Sequence, residues 1–158
     1  MIYSAKNIAN AFIQIATEHG EYLTNMQVQK LVFFAHGWHL ALMDAPLIEE
    51  TIQAWSFGPV IAPLYNALKK YGNGFVTKPL MRIDTESRQK LEYETPEDKS
   101  VLELLQKVWE LYGHLTGGQL SSLTHLKDSP WSRTFRVNQF GVIPNELIRD
   151  YFKRQERR

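Results

Sequence analysis

The stretch from Leu23 to Val60 constrains the fold more than any other part of the chain. Val28, Leu31, Val32, Phe33, Phe34, Ala35, Trp38, Leu40, Leu42 and Met43 recur on more than one face of one helix, capped by Thr24 or Asn25 and ending near Met43. A helix that is apolar nearly all round has no face to give to water, so this one is expected at the centre of the molecule. After Pro46, Thr51 to Trp55 alternates weakly and reads as a short strand, with Pro46 to Ile48 as its candidate partner. Gly58-Pro59 reads as a turn.

The remaining elements arrange themselves around that helix. Ser4 caps a first helix whose apolar positions Ala5, Ile8, Phe12 and Ile15 run to about Glu18, where Gly20 stops it. Pro63 suits the first turn of a third helix, Leu64 to Tyr71, closed by Gly72. Asn73 to Glu94 is polar and acidic, and reads as a loop or marginal hairpin. Thr95 as cap and Pro96 at the first position open a fourth helix, with Val101, Leu104, Leu105, Val108, Leu111 and Tyr112 on one face. Thr116 caps a fifth, Leu120 to Leu126; a short helix runs to Phe135, and Pro144 to Lys153 forms the last. The expected fold is mainly α: a compact single-domain helical bundle of about six helices, with a short β-hairpin or extended segment after the second. One domain spans 1–158, with a basic tail at 154–158.

Composition narrows the function classes. A chain of 158 residues with 44% hydrophobic content buries a core without covalent staples. It has no cysteine, which removes disulfides, thiolate metal sites and cysteine nucleophiles, and is compatible with a reducing cytoplasm. The N-terminal residues lack the basic and apolar regions of a secretory signal, and no apolar run approaches the roughly 20 residues that span a bilayer. A soluble cytoplasmic protein without a membrane partner is expected. The net charge of +1 argues against holding nucleic acid through a strongly basic surface. Acids do cluster between Asp84 and Asp98, and Lys127, Arg133, Arg136, Arg149 and the tail load the C-terminal end with base.

Catalytic constellations are sparse. The glycines at 113, 117 and 118 lack the strand context of a phosphate loop, and no Gly-x-Ser-x-Gly elbow is present. His36 and His39 can share a side of the central helix, but no further zinc ligand stands near them in sequence. Ser121 to His125 places hydroxyls beside a histidine, yet Thr124 and His125 diverge by about 100° on a helix, which favours packing and capping over nucleophile and base. Gln29 and Lys30 are polar where burial is expected, so each needs a backbone partner, a path to solvent, or a contact with another protein. The first two helices and their Gly turn resemble a helix-turn-helix, but Lys30 is the single cation on a face otherwise apolar, unlike a DNA-reading helix. Trp38, Trp55, Phe57, Trp109 and Trp131 serve either a core or an interface.

Two separated runs carry a family resemblance. The first comprises Leu23-Thr24-Asn25-Met26, Gln29-Lys30-Leu31, Ala35-His36-Gly37-Trp38, Ala54-Trp55, Phe57-Gly58-Pro59-Val60, Tyr65 and Tyr71-Gly72. The second comprises Leu120-Ser121, Leu123-Thr124-His125 and Pro130-Trp131. Together they resemble the Panacea domain, the family of SocA-like antitoxins and GepA-like phage-associated proteins, over about residues 4 to 154. Phe33-Phe34 stands where that family commonly has paired tyrosines, His36 where it has Gln, and Gln53 where an acid is frequent. The resemblance implies a non-enzymatic, cofactor-free antitoxin that neutralises a cognate toxin, encoded next to it, by direct protein contact. It points to Gln29, Lys30, His36, Trp55, Phe57, Pro59 and Tyr65 as residues that make or shape the contact, and to Trp38, Gly58, Thr124, His125, Pro130 and Trp131 as structural signature. The alternative is a small hydrolase-like enzyme or nucleic-acid-directed regulator using Ser121 to His125 or the basic C-terminus.

Overall fold

A computed structural model describes residues 2–157; Met1 and Arg158, the last residue of the expected basic tail, lie outside the described residues. Seven α-helices are present among them: α1 Ala5–Glu18, α2 Asn25–Met43, α3 Ala62–Leu68, α4 Lys99–Tyr112, α5 Gly117–Thr124, α6 Pro130–Val137 and α7 Asn145–Glu156. Six short strands are interleaved: β1 Leu23–Thr24, β2 Gln53–Trp55, β3 Gly58–Val60, β4 Phe75–Val76, β5 Met81–Ile83 and β6 Lys90–Glu92. The mainly α class stands, with one helix more than the approximate count expected.

Burial organises everything about α2. Thr24 and Gln27 close its first turn reciprocally: the Gln27 amide donates to the Thr24 hydroxyl at 3.2 Å, and the Thr24 amide to the Gln27 side-chain oxygen at 2.8 Å. Val28, Leu31, Val32 and Ala35 are wholly buried, and α1, α4, α5 and α7 pack around the helix, α7 most extensively. The α2–α7 seam is aromatic. Phe152 meets Phe33, Phe34 and Trp38 edge-on, with ring centroids 5.9, 6.1 and 5.1 Å away. Gly37 makes that approach possible, because a Cβ there would overlap the Phe152 ring.

Local chemistry moved several boundaries. β2 pairs antiparallel with β3, Gln53 opposite Val60 and Trp55 opposite Gly58, and not with Pro46 to Ile48. The connecting turn is therefore Ser56-Phe57, and Gly58-Pro59 lies in the strand, where Gly58 supplies the φ of +117°. Leu47 and Ile48 are engaged elsewhere: the Tyr3 amide donates to the Leu47 carbonyl at 2.9 Å, and Ile48 bridges to Tyr3. The free edge of β2 takes residues 140–143, through Phe140 N–H to the Ala54 carbonyl at 2.7 Å and Ile143 N–H to the Ile52 carbonyl at 2.7 Å. Asp98, not Thr95, caps α4, since its carboxylate accepts the Ser100 amide at 2.8 Å. The preceding residues stay outside the helix, where the Glu94 carbonyl accepts from the Asn7 side chain at 2.7 Å. α5 ends at Thr124 and not at Leu126, while α7 continues to Glu156. Asn73 to Glu94 holds β4, which pairs with β1, and the β5–β6 hairpin.

Candidate functional site

The two sequence runs meet at Gly58. A Cβ on this residue would lie 2.7 Å from the Thr124 hydroxyl and 2.9 Å from Lys30 Cε, so α2, α5 and the β2–β3 hairpin converge where no side chain fits. The second run clamps the hairpin by hydrogen bonds. Ser121 Oγ donates to the Phe57 carbonyl at 2.6 Å, and Trp131 Nε1 to the Trp55 carbonyl at 2.6 Å. Thr124 Oγ1 donates to the Ser121 carbonyl at 2.6 Å, and Ser129 Oγ to the Thr124 carbonyl at 2.7 Å. Pro130 starts α6 at its first position and sets Trp131 over the hairpin.

His125 lies flat on Trp131, ring centroids 3.8 Å apart. Desolvation and the Lys30 charge lower its pKa, with the Phe57 carbonyl opposing, and its Nε2 is buried without a hydrogen-bond partner among the described residues. That carbonyl is already held by Ser121, at 2.6 Å. Ser121 thus commits its proton to the backbone, and no hydrogen bond joins it to His125 among the described residues. The nucleophile-and-base alternative finds no such pair in this geometry.

The buried polar residues of α2 divide by how fully they are satisfied. Gln29 engages both ends of its amide: its Oε1 accepts the Ile61 amide at 3.0 Å and its Nε2 donates to Asn25 at 3.2 Å, tying α2 to the end of the hairpin. His36 engages both ring nitrogens. Its Nδ1 accepts the Leu47 and Ile48 amides at 3.3 and 3.4 Å, which leaves the proton on Nε2, donated to Asn145 Oδ1 at 2.9 Å. Burial pulls its pKa down to about 4. His39 Nδ1 donates to the Ala45 carbonyl at 2.6 Å, so the two histidines have separate structural partners, and no metal-binding cluster exists among the described residues.

Lys30 differs. It is 1% exposed and its ammonium donates to the Pro59 carbonyl at 3.2 Å, one of the three bonds it can give. None of the ion pairs among the described residues involves it. Desolvation lowers its pKa to about 8, which leaves it mostly charged at neutral pH.

Above these residues lies a cleft of about 590 Å³. Asn25, Met26, Gln29 and Lys30 of α2 line it, with Trp55, Ser56, Phe57 and Val60 of the hairpin, Tyr65 of α3, Lys69, Gly117 of α5, and Phe140. Among the residues expected to make or shape a contact, Gln29, Lys30, Trp55, Phe57 and Tyr65 are thus brought together. Pro59 is buried behind the cleft and contributes its carbonyl to Lys30. His36 stands apart from the cleft, fully buried and bonded to Asn145 at the start of α7. Trp38, also in the signature, belongs to the same seam, donating to the Tyr112 hydroxyl at 3.0 Å.

Sequence reasoning missed Phe140. Its ring packs against Trp55 at 6.0 Å while remaining 55% exposed, and its backbone takes φ +64°, rare for a bulky residue. The bond from its amide to the Ala54 carbonyl holds it there. Gly141 after Asn138 was the available signal, marking a turn but not what the turn presents.

With both runs converging on one hairpin and one cleft, comparison with known proteins is informative. The model of the family described as antitoxin SocA-like, Panacea domain, matches residues 28–132. The chain belongs to this family. Antitoxin SocA of Caulobacter vibrioides (strain NA1000 / CB15N) is 28% identical over 127 residues, covering 80% of this chain and 68% of that relative. No solved structure matches. The SocA-like match contains the Gly58 junction and most of the cleft, from Gln29 to Trp131, while α1, Phe140 and α7 lie outside it. No helix among the described residues is long and apolar enough to cross a membrane.

Proposed function

We propose that this protein is a cytoplasmic antitoxin that neutralises a partner toxin by binding it directly, using the cleft and its aromatic rim. The carrying observation is that part of the two resembling runs converges on one surface: Gln29, Lys30, Trp55, Phe57 and Tyr65 line one cleft, and Ser121 and Trp131 hold the hairpin that forms its wall. Phe57 projects at 69% exposure and Phe140 at 55%, where water gains nothing from them and a protein surface would. A standard interface of about 1,600 Å² centred here covers both rings and the cleft mouth, and occludes whatever toxin surface it meets. The function needs no cofactor and no chemistry on the toxin.

The test is co-expression with the growth-arresting product of the adjacent gene. Growth is expected to be restored by the wild-type chain and lost on replacing Phe57 and Trp55 together by Ala, with the variant still folded by circular dichroism. A complex that leaves the toxin's activity intact, or a chain that co-purifies with nucleic acid in place of a protein, overturns the proposal.

A further inference from the structure

We propose that the cleft receives a carboxylate side chain of the bound toxin, an Asp or Glu neighboured by an apolar residue, with the Lys30 ammonium as its charge partner. This rests on the toxin-binding reading and gives the partner a chemistry.

A buried ammonium with one hydrogen bond is an unfinished arrangement. Lysine is almost never fully buried unless paired, because desolvation of the charge is uncompensated. Here Lys30 is 1% exposed, lines the cleft, and has spare donors and no carboxylate partner among the described residues. The cleft wall supplies no acid either: Asp and Glu are absent from its lining, and its second charged residue, Lys69, is another cation. α2 and α5 both begin at this cleft, with Asn25, Met26 and Gly117 in their first turns, adding the positive ends of two helices. The cleft is therefore complementary to a single negative charge.

The rest of the lining decides what bears that charge. Trp55, Phe57, Tyr65 and Phe140 are aromatic, and Phe57 and Phe140 line the same cleft as Lys30 while largely exposed. A small free anion would leave them in water; a protein segment with an apolar side chain beside its acid covers them. A chain-terminal carboxylate is commonly gripped by a nest of backbone N–H groups. Here side chains close one first-turn amide of each helix, Gln27 by Thr24 at 3.2 Å and Gln119 by Thr116 at 3.1 Å, and Lys30 is the buried charge of the cleft. A side-chain carboxylate suits one flexible point charge.

The experiment has two arms. In the first, the affinity of the co-expressed toxin is measured for the wild-type chain, Lys30→Met and Lys30→Gln, and each toxin Asp or Glu is changed to its amide. Both Lys30 variants are expected to bind about tenfold or more weakly. One toxin amide substitution should cost as much, and combining it with Lys30→Met should add little further loss. In the second, random peptides displayed with both ends fused, and in parallel with a free C-terminus, are selected on the wild-type chain. Enriched sequences should share an acid beside an apolar residue and bind Lys30→Gln poorly. Unchanged toxin affinity in both Lys30 variants, tolerance of every single toxin amide substitution, no enrichment, or enrichment only of peptides with a free C-terminus overturns the inference. A toxin that binds and is neutralised regardless of Lys30 leaves the antitoxin reading standing; a toxin that the wild-type chain does not bind removes both.

Discussion

The two halves of α2 are buried alike and built differently. In the C-terminal half, Phe33, Phe34 and Trp38 interlock with Phe152, and the polar His36 has every ring nitrogen occupied. In the N-terminal half, Gln29 has bonds at both ends of its amide, but Lys30 uses one of three donors and lines a cleft. Burial alone does not separate these polar residues; the use made of their hydrogen-bonding capacity does. His36 engages both ring nitrogens, and Lys30 one of three donors.

The largest effect expected from breaking this contrast lies in the aromatic seam. Phe152→Ala removes a side chain 2% exposed that meets three aromatic rings of α2, and should cost about 3–5 kcal/mol in urea unfolding. Next comes the acid response of His36. Its pKa falls from 6.5 in the unfolded chain to about 4 in the fold, so the unfolded state binds the extra proton between these values. Stability should be full above pH 6.5 and decline by about 3 kcal/mol as the pH drops to about 4. His36→Gln, which keeps hydrogen-bonding groups but does not titrate, should flatten that limb relative to wild type.

Lys30 should behave in the opposite sense. Its pKa of about 8 lies below its ordinary 10.5, so the folded state releases its proton first and the wild type gains stability between those values. Lys30→Met should stabilise the free protein at neutral pH by about 1–2 kcal/mol, the lost desolvation cost exceeding the lost bond to Pro59, and the two proteins should converge in thermal melts as the pH rises past 10. A destabilised Lys30→Met would mean that the N-terminal half of α2 is as finished as the C-terminal half. The smallest effect belongs to the rim: Phe140→Ala should weaken toxin binding by about fivefold, roughly 1 kcal/mol, with little change in the stability of the free chain.

Much of this was readable along the chain, and the failures share a cause. The apolar run of α2 announced its central position, and Ser4, Thr24 and Thr116 were legible as caps because a cap is a contact three residues long. Thr95 reads as the cap in place of Asp98 because both precede a helical pattern. The bonds of Asn7 and Asn10 to the Glu94 and Tyr93 carbonyls, with that of the Tyr93 amide to the Leu80 carbonyl, hold the residues before Thr95 outside the helix. The partner of β2 was sought nearby at Pro46 to Ile48, whereas one edge is taken by the next strand and the other by residues 140–143. The cleft followed the same rule. Residues inside the signatures were found, and Phe140, brought to Trp55 by that distant pairing, was not. Whether Lys30 has a partner is a statement about three elements at once, and no local pattern encodes it.

The seam between α2 and α7 also has a consequence in time. α2 is translated early, yet the groups that cover it, Asn145 against His36 and Phe152 against Gly37, are added after every other element described. A chain that lacks α7 therefore leaves the aromatic seam of α2 open to water, while α1, α4 and α5 still cover its other faces. That seam closes only when α7 docks, and truncation before residue 145 should expose it to aggregation or proteolysis.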